Sequence, residues 1–258
     1  MRYRESISNR SELIPLVDKI KFKIAPDENL DYFDSVVFAK DPASQENFVE
    51  NNSSFTGHLF LEKPLSPSIE SHSGSLDLLI QSQTNFSVAY IFKYLDWHEC
   101  VQAAVSVSHL EIIWDVRRHP QSNWKSDANL GGGLSAFYFV HFAPLFTFLN
   151  IPLESCELQI EADCIHFSYA GVHPKKLAIT LRSDSTVTPK FRVEFVADGS
   201  RQLFESDTPF GPQGSPMNAD SRIGVLSKYL AANFQKSDIE ESIKLEQMAL
   251  NIRRALSK

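Results

Sequence analysis

Cysteine is scarce in this sequence, and its spacing excludes the usual cysteine-based sites. Only Cys100, Cys156 and Cys164 occur among 258 residues, so at least one thiol has no disulfide partner. No two of them are separated by two residues, which argues against a CxxC redox or zinc motif. This usage fits a reducing compartment, and we expect a cytoplasmic protein.

Other motifs that would identify an enzyme are also missing. The chain contains no GxGxxG or GxxxxGK[ST] phosphate loop, no HExxH metal pair and no GxSxG nucleophile elbow. Its start, MRYRESISNRSEL, has no apolar run that would predict a secretory signal. We therefore assign no catalytic residue, no cofactor and no metal site from the sequence, and we predict that the chain is not an enzyme.

Apolar residues are plentiful and make up 43% of the sequence, which is enough for a real core. The length allows one large domain, or one domain with a small appendage. Nineteen Phe, seven Tyr and three Trp are present, most of them among apolar neighbours. We expect these aromatic side chains to build the core, and an internal ligand pocket lined by them would fit a sensor.

Residues 129–150, NLGGGLSAFYFVHFAPLFTFLN, combine three glycines with a long apolar run. A phosphate loop would need a defined glycine spacing, and a membrane span needs close to twenty apolar residues, whereas Leu134–Leu149 has sixteen with His141 and Pro144 inside. We predict a buried helix that Pro144 kinks or breaks, entered by a sharp turn at the glycines.

Alternation of apolar and polar residues predicts strands over 109–116, 155–162, 164–170, 175–182 and 190–204, with a tight turn at Asp198–Gly199. Helical spacing predicts a short helix over 84–96, and residues 63–76 are turn-rich and predict a loop. The expected fold class is α+β, an antiparallel sheet with packed helices, followed by a small all-helical C-terminal region.

The C-terminal part differs from the rest in composition and charge. Residues 208–220 are rich in proline and glycine and predict a linker. Residues 221–258 carry seven basic and four acidic residues, a net charge of +3 against −10 for the rest. Ser237 and Glu240 form a capping box, and one helical face carries apolar residues: Leu245, Met248, Ala249, Ile252 and Leu256.

The sequence contains two short cysteine–histidine pairs that could take part in metal binding or catalysis. Cys164 and His166 would share one face of a strand, and His98 lies two residues before Cys100. Two ligands alone do not hold a metal, so a core cysteine beside a hydrogen-bonded histidine is the simpler interpretation. Nothing in the sequence assigns a nucleophile to either pair.

Two stretches resemble the AraC/XylS family of transcription regulators. FRVEFVADGSRQLFESDTPF, residues 191–210, is similar to the hairpin and strap that end a sensor domain in that family. SDIEESIKLEQMALNIRRALSK, residues 237–258, resembles its first helix-turn-helix. The resemblance implies a sensor domain over 1–207, a linker over 208–220 and a DNA-binding region over 221–258, in which Asn251, Arg253 and Arg254 contact DNA.

The function predicted on this basis is a cytoplasmic regulator that binds a small effector and meets DNA, or a second copy of itself, through its C-terminal helices. Two alternatives remain open. One is a non-catalytic binding module whose last helix docks on the body through Leu245, Met248, Ile252 and Leu256, with both arginines in solvent. The other is an enzyme of unrecognised class. No membrane partner is expected.

Overall fold

The computed structural model describes Leu30 and residues 33–120, 123–210, 222–235 and 238–257. The strands within these residues are β1 (Ser35–Phe38), β2 (His58–Leu61), β3 (Asn85–Val88), β4 (Val107–Arg117), β5 (Glu157–Glu161), β6 (Cys164–Ala170), β7 (Lys176–Asp184), β8 (Lys190–Ala197) and β9 (Ser200–Ser206). The α-helices are α1 (Pro42–Asn52), α2 (Ile69–Gln81), α3 (Asp96–Ala103), α4 (Ala143–Phe148), α5 (Arg222–Gln235) and α6 (Ile239–Ala255).

The first three strands form a parallel sheet in the order β1-β2-β3. Helices α1 and α2 make the crossovers between them, as parallel pairing requires. Asp41 caps α1 and Ser68 caps α2, each accepting from a backbone N–H three residues on. Because both faces of this sheet are covered, Leu59, Phe60 and Leu61 are consecutive buried residues, so β2 shows no alternation.

The second sheet has six strands in the order β5-β6-β7-β4-β8-β9. Its neighbours are antiparallel except β4 and β7, which run parallel. Inward-facing residues such as Phe191, Val193 and Phe195 are buried, whereas their neighbours along β8 are partly exposed. Asp198 and Gly199 both have positive φ at the β8–β9 turn. The strands predicted over 109–116 and 155–204 are therefore confirmed.

The fold class is mixed α/β, with one parallel sheet and one largely antiparallel sheet, and the C-terminal helices are present. The expectation of one antiparallel sheet missed the parallel part, because β1, β2 and β3 each span only four residues. The predicted loop over 63–76 contains the start of α2. The predicted helix over 84–96 is instead β3 followed by a 3₁₀ turn at Ile91–Tyr94.

The two sheets share one hydrophobic core. Phe92, in the 3₁₀ turn after β3, joins them: its ring contacts Trp114 on β4 and Phe191 on β8, with centroids 5.2 and 5.9 Å away. Helix α5 covers the face of the parallel sheet that carries Phe60, and Tyr229 of this helix packs edge-on against the Phe60 ring. The carboxyl edge of the parallel sheet thereby faces the inner side of the large sheet.

The glycine run and the apolar segment after it lie inside the protein. Ala128–Phe148 is long and apolar enough to cross a membrane by length and composition. In the structure it is a succession of short turns ending in α4, and Phe139, Val140, Phe142 and Phe146 are buried in the shared core. The prediction of a buried segment is confirmed, although the helix is broken well before Pro144.

Helix α6 is one unbroken helix of seventeen residues. Its cap is Asp238, which accepts from the N–H of Glu241 at 3.0 Å. The predicted cap Ser237 and most of the predicted linker, residues 211–220, lie outside the described residues. Leu245, Ala249 and Ile252 face the shared core, so the apolar face packs on the body. The binding-module alternative also expected both arginines in solvent, and that is wrong for Arg253, which is 5% exposed.

Candidate active site

Lys63 stands at the carboxyl edge of the parallel sheet, two residues after β2 ends. The carboxyl ends of parallel strands are where α/β proteins bind their ligands. The peptide bond between Lys63 and Pro64 is cis. Only 4% of Lys63 is exposed, although lysine is almost never fully buried without a partner. A lysine in this position is the first candidate for chemistry.

The buried side chain of Gln45 in α1 fixes the backbone on both sides of Lys63. Its Oε1 accepts a hydrogen bond from the Glu62 N–H at 2.8 Å. Its Nε2 donates to the Glu62 carbonyl at 2.6 Å and to the Leu65 carbonyl at 3.1 Å. These bonds satisfy backbone groups that the sheet no longer pairs and hold the segment that carries the lysine.

The Lys63 ammonium points toward the turn in front of the large sheet. Its Nζ donates a hydrogen bond to the carbonyl oxygen of Phe137 at 2.6 Å and lies 3.3 Å from the centroid of the Phe137 ring. Phe137 belongs to a π-helical turn, Leu134–Tyr138, a distortion that is frequent at functional sites. The backbone carbonyl and the ring fix the direction of the amine.

Burial lowers the pKa of Lys63 well below its usual 10.5, and nearby Lys125 lowers the pKa further, while Glu62 opposes both effects. Burial likewise raises the pKa of the Glu62 carboxyl, against the attraction of Lys63. The two neighbours therefore move toward their neutral forms. An uncharged amine can accept a proton, which is how enzymes obtain a lysine base near neutral pH.

Lys125 is the second cation of the site. Its Nζ lies 5.1 Å from the Phe137 ring centroid, on the ring that Lys63 also contacts. Burial lowers its pKa, and Arg222 adds to the lowering. The glycine run holds this lysine in place, because a Cβ on Gly132 would lie 2.1 Å from the carbonyl oxygen of Trp124. A glycine is therefore required at position 132 because two backbone segments approach each other closely there, and no phosphate is needed to account for it.

His141 completes the cluster. Its side chain is 6% exposed and stacks on Phe92 with centroids 4.5 Å apart. Burial, assisted by Lys63 and Lys125, lowers its pKa well below 6.5, so the ring is neutral. Its Nδ1 has no hydrogen-bond partner among the described residues. Nearby, burial raises the pKa of Tyr138 to about 12, which keeps its hydroxyl protonated.

Solved structures share this architecture along most of the chain. A myo-inositol dehydrogenase from Corynebacterium glutamicum matches with a TM-score of 0.69 and 11% identity, over 94% of this chain and 84% of that one. A Gfo/Idh/MocA family oxidoreductase from Vibrio cholerae gives 0.67 and 10%, over 95% and 85%. The WlbA dehydrogenase from Bordetella pertussis, in complex with NADH and UDP-GlcNAcA, gives 0.63 and 13%, over 87% and 77%. The fold is that of the Gfo/Idh/MocA oxidoreductases.

No protein-family model matches the sequence, and no curated protein matches it. At these identities the shared Gfo/Idh/MocA architecture establishes the fold. It overturns the resemblance to AraC/XylS regulators, whose architecture does not appear among these matches. The predictions of a DNA-binding regulator, of a non-catalytic module and of a protein that is not an enzyme were wrong, since the matching structures are oxidoreductases.

The residues once assigned to DNA contact lie in different surroundings. Arg253 is 5% exposed, and its Nη1 donates to the Ser66 carbonyl at 2.9 Å. Its guanidinium is therefore hydrogen-bonded inside the protein and is not available to contact DNA. Asn251 and Arg254 are exposed on α6. The helix-turn-helix interpretation was wrong because the apolar residues from Leu245 to Leu256 lie along α6, which is one continuous helix and not two.

NADH accompanies the matching WlbA structure, but the residues of this chain do not show the usual glycine-containing cradle. That cradle needs glycines where the backbone approaches the pyrophosphate. The first glycine of the sequence is Gly57, which follows β1 and α1. Where β1 leads into α1, the Asp41 carboxylate accepts from the Ser44 N–H at 2.9 Å, so this helix start is capped by its own side chain and not left open for a phosphate.

The two cysteine–histidine pairs differ. Cys164 Sγ lies 3.1 Å from His166 Nε2, and His166 Nδ1 lies 3.2 Å from Thr180 Oγ1. Burial raises the pKa of the Cys164 thiol, which disfavours a nucleophilic thiolate. His98 is buried while Cys100 is exposed. Within the described part of the chain, no three acidic, histidine or cysteine side chains are grouped to hold a metal.

Sequence reasoning missed Lys63, Glu62, Lys125 and the role of His141. One signal was present: in the stretch HLFLEKPL, residues 58–65, four residues of strand character are followed by a glutamate, a lysine and a proline. Lys63 instead falls in the segment 63–76, which the sequence predicts as a loop. His141 is one polar residue inside an apolar run, and no local pattern distinguishes it.

Proposed function

We propose that this chain is an enzyme that interconverts a hydroxyl and a carbonyl group on a small polar substrate, in which Lys63 takes the hydroxyl proton and a two-electron acceptor of the nicotinamide class, supplied from solution, takes the hydride from the carbon. The observation that carries the proposal is the buried Lys63 amine at the carboxyl edge of the parallel sheet, its pKa lowered well below 10.5. Burial costs the Lys63 amine its hydration, and the Phe137 carbonyl and ring are the partners it gains in return.

The surrounding residues suit such a step. The neutral Lys63 amine accepts the proton of a substrate hydroxyl, while its hydrogen bond to the Phe137 carbonyl holds the nitrogen in place. The charge of Glu62, which acts to raise the pKa of Lys63, favours the ammonium once the proton is taken up. The buried ring of His141 helps to keep water from the amine. General acid–base catalysis of this kind contributes about 10²–10⁴-fold.

The substrate classes follow from the matching structures. One is named a myo-inositol dehydrogenase, and another holds UDP-GlcNAcA. Polyols and sugar acids are therefore the compounds to test. The three free cysteines support a cytoplasmic location.

A second candidate is favoured by the absence of glycine before Gly57. If no dinucleotide is held, the same amine can remove a proton from a carbon beside a carbonyl group, a step that needs no oxidant. The proton then returns to the same or the opposite face of that carbon. Lys63 has the same role in both candidates, and only the fate of the substrate electrons differs.

One assay separates the candidates. The purified chain is incubated with myo-inositol, D-gluconate or D-glucuronate in the presence of NAD⁺ or NADP⁺, and reduction is followed by absorbance. In parallel, the chain is incubated with keto acids in D₂O without dinucleotide, and deuterium incorporation is followed by NMR. We expect Lys63→Met to lower the observed activity at least about 100-fold, and exposed Lys176→Met to leave it unchanged.

The outcomes are distinct. Dinucleotide-dependent turnover supports the dehydrogenase, and deuterium incorporation without dinucleotide supports the second candidate. Absence of both activities, or a Lys63→Met variant as active as the unmodified chain, contradicts the proposal.

A further inference from the structure

The chain leaves the parallel sheet just before Lys63. A hydrogen bond from the Ala89 N–H to the Leu61 carbonyl, at 2.9 Å, ends the pairing of β2 with β3, and α2 begins only at Ile69. Residues 62–68 therefore lie between a strand and a helix. Buried backbone groups in such a segment need hydrogen-bond partners from outside regular secondary structure.

Two buried side chains, one from α1 and one from α6, supply these partners. Gln45 bonds to the backbone on both sides of Lys63. Arg253 holds the rest of the segment: its Nη1 donates to the Ser66 carbonyl at 2.9 Å, and its Nη2 donates to the Pro67 carbonyl. One planar guanidinium thus bridges two consecutive carbonyl groups, a geometry that the single ammonium of a lysine does not reproduce.

The guanidinium of Arg253 is itself held in place. Its Nη1 lies 3.1 Å from Nδ1 of the buried His72, and the charge of Glu246 on the same helix stabilises its positive charge. Hydrophobic residues of similar volume often stabilise a fold as well as a buried charge network does. Stability alone therefore does not explain why an arginine lies here.

The backbone between Lys63 and the carbonyls that Arg253 holds is short and closely packed. Pro64, Leu65 and Ser66 are all buried. Close-packed interiors have little free volume that could absorb a displacement. A shift of residues 66–67 away from α6 should therefore also move Lys63.

We propose that Arg253 is a positioning residue for Lys63. By holding the carbonyls of Ser66 and Pro67 against α6, the guanidinium keeps the segment after β2 in one conformation. The amine of Lys63 then stays within hydrogen-bond distance of the Phe137 carbonyl. This inference rests on the proposed function, in which Lys63 takes the proton, and it adds a residue from the last helix to that site.

An NMR titration of Lys63 in the variant Arg253→Lys tests the positioning. The substitution keeps the positive charge but loses the planar fork, so a change at Lys63 reports geometry and not lost charge. We expect the amine to gain contact with water and its pKa to rise toward 10.5, by at least about half a pH unit. With a substrate that is turned over, kcat should fall at least about tenfold while KM stays unchanged.

A control separates positioning from stability. Ile179→Ala removes a fully buried side chain on β7 and destabilises the fold, but it removes no donor to the segment, so the pKa of Lys63 should stay unchanged. If Arg253→Lys does not fold, Glu246→Gln takes its place in the titration. That variant lacks the carboxylate charge that acts on Arg253, and we expect a smaller rise in the same direction.

An unchanged pKa of Lys63 in the folded variant overturns the inference, and so does an equal rise in Ile179→Ala. The titration needs no turnover. A raised pKa in a chain that shows no activity would therefore support the positioning role of Arg253 and contradict the proposed function alone.

Discussion

At the scale of single residues, the proposed function depends on which polar side chains are buried away from solvent. Lys63 follows four residues of strand character and precedes a proline, so the sequence could have shown that it ends a strand. It could not show burial, because the ring that covers the amine, Phe137, lies 74 positions further along the chain. The perturbation of Lys63 is a tertiary effect that no local pattern contains.

The buried histidines make the stability depend on pH. Burial lowers the pKa of His98 from 6.5 to about 4, and the residue is fully buried between Trp97 and Phe148. Between these two values the unfolded chain binds a proton that the folded chain does not. The free energy of unfolding should therefore fall as the pH falls from 6.5 to 4.

His98→Gln removes one such group, so its stability should fall less steeply over that interval, by about 1.4 kcal/mol per pH unit. Urea unfolding at several pH values measures both slopes. The burial of His58, whose pKa is also lowered to about 4, contributes equally to both proteins and cancels. Parallel slopes would show that His98 is protonated in the folded state.

At the scale of elements, α6 joins the C-terminus to the candidate site. Arg253 donates to the Ser66 carbonyl and approaches His72 Nδ1 at 3.1 Å, and His72 Nε2 lies 2.7 Å from the Glu246 carboxylate. Because arginine only donates, His72 Nδ1 accepts from Arg253, while His72 Nε2 and the Glu246 carboxylate are in close contact without a well-aligned hydrogen bond. This buried network holds the segment that begins with Lys63.

Removing one member of a buried charge network leaves the others uncompensated. Glu246→Ala should lower the free energy of unfolding by about 3–5 kcal/mol. Glu240→Ala, at an exposed position in the first turn of the same helix, should cost less than about 1 kcal/mol. Urea unfolding at neutral pH compares them, and equal losses would mean that the network contributes no special stability.

The elements also show how far the sequence could be interpreted. The strands of the large sheet were predictable because one face of the sheet is exposed to solvent, so buried residues such as Phe191, Val193 and Phe195 alternate with polar ones. Strand β3 was not, because Phe86, Ala89 and Tyr90 also have helical spacing and the strand ends after Val88. Pairing of β4 with β7 joins residues far apart in sequence, and no local pattern encodes it.

At the scale of the whole molecule, the candidate site exists because two sheets share one core. The parallel sheet supplies Lys63, the turn before the large sheet supplies Phe137 and His141, and the glycine run places Lys125 beside them. Each part is ordinary by itself. The regulator hypothesis was wrong at this scale, since the chain shares its architecture with oxidoreductases, and α6 packs into the shared core.

An NMR titration of the Lys63 amine tests the central claim most directly, with its signal assigned by comparison with Lys63→Met. We predict that the amine loses its proton at a pH well below 10.5, because burial and Lys125 both lower its pKa. A pKa at or above 10.5 would mean that Lys63 stays charged at neutral pH, and it would contradict the role of Lys63 as a base.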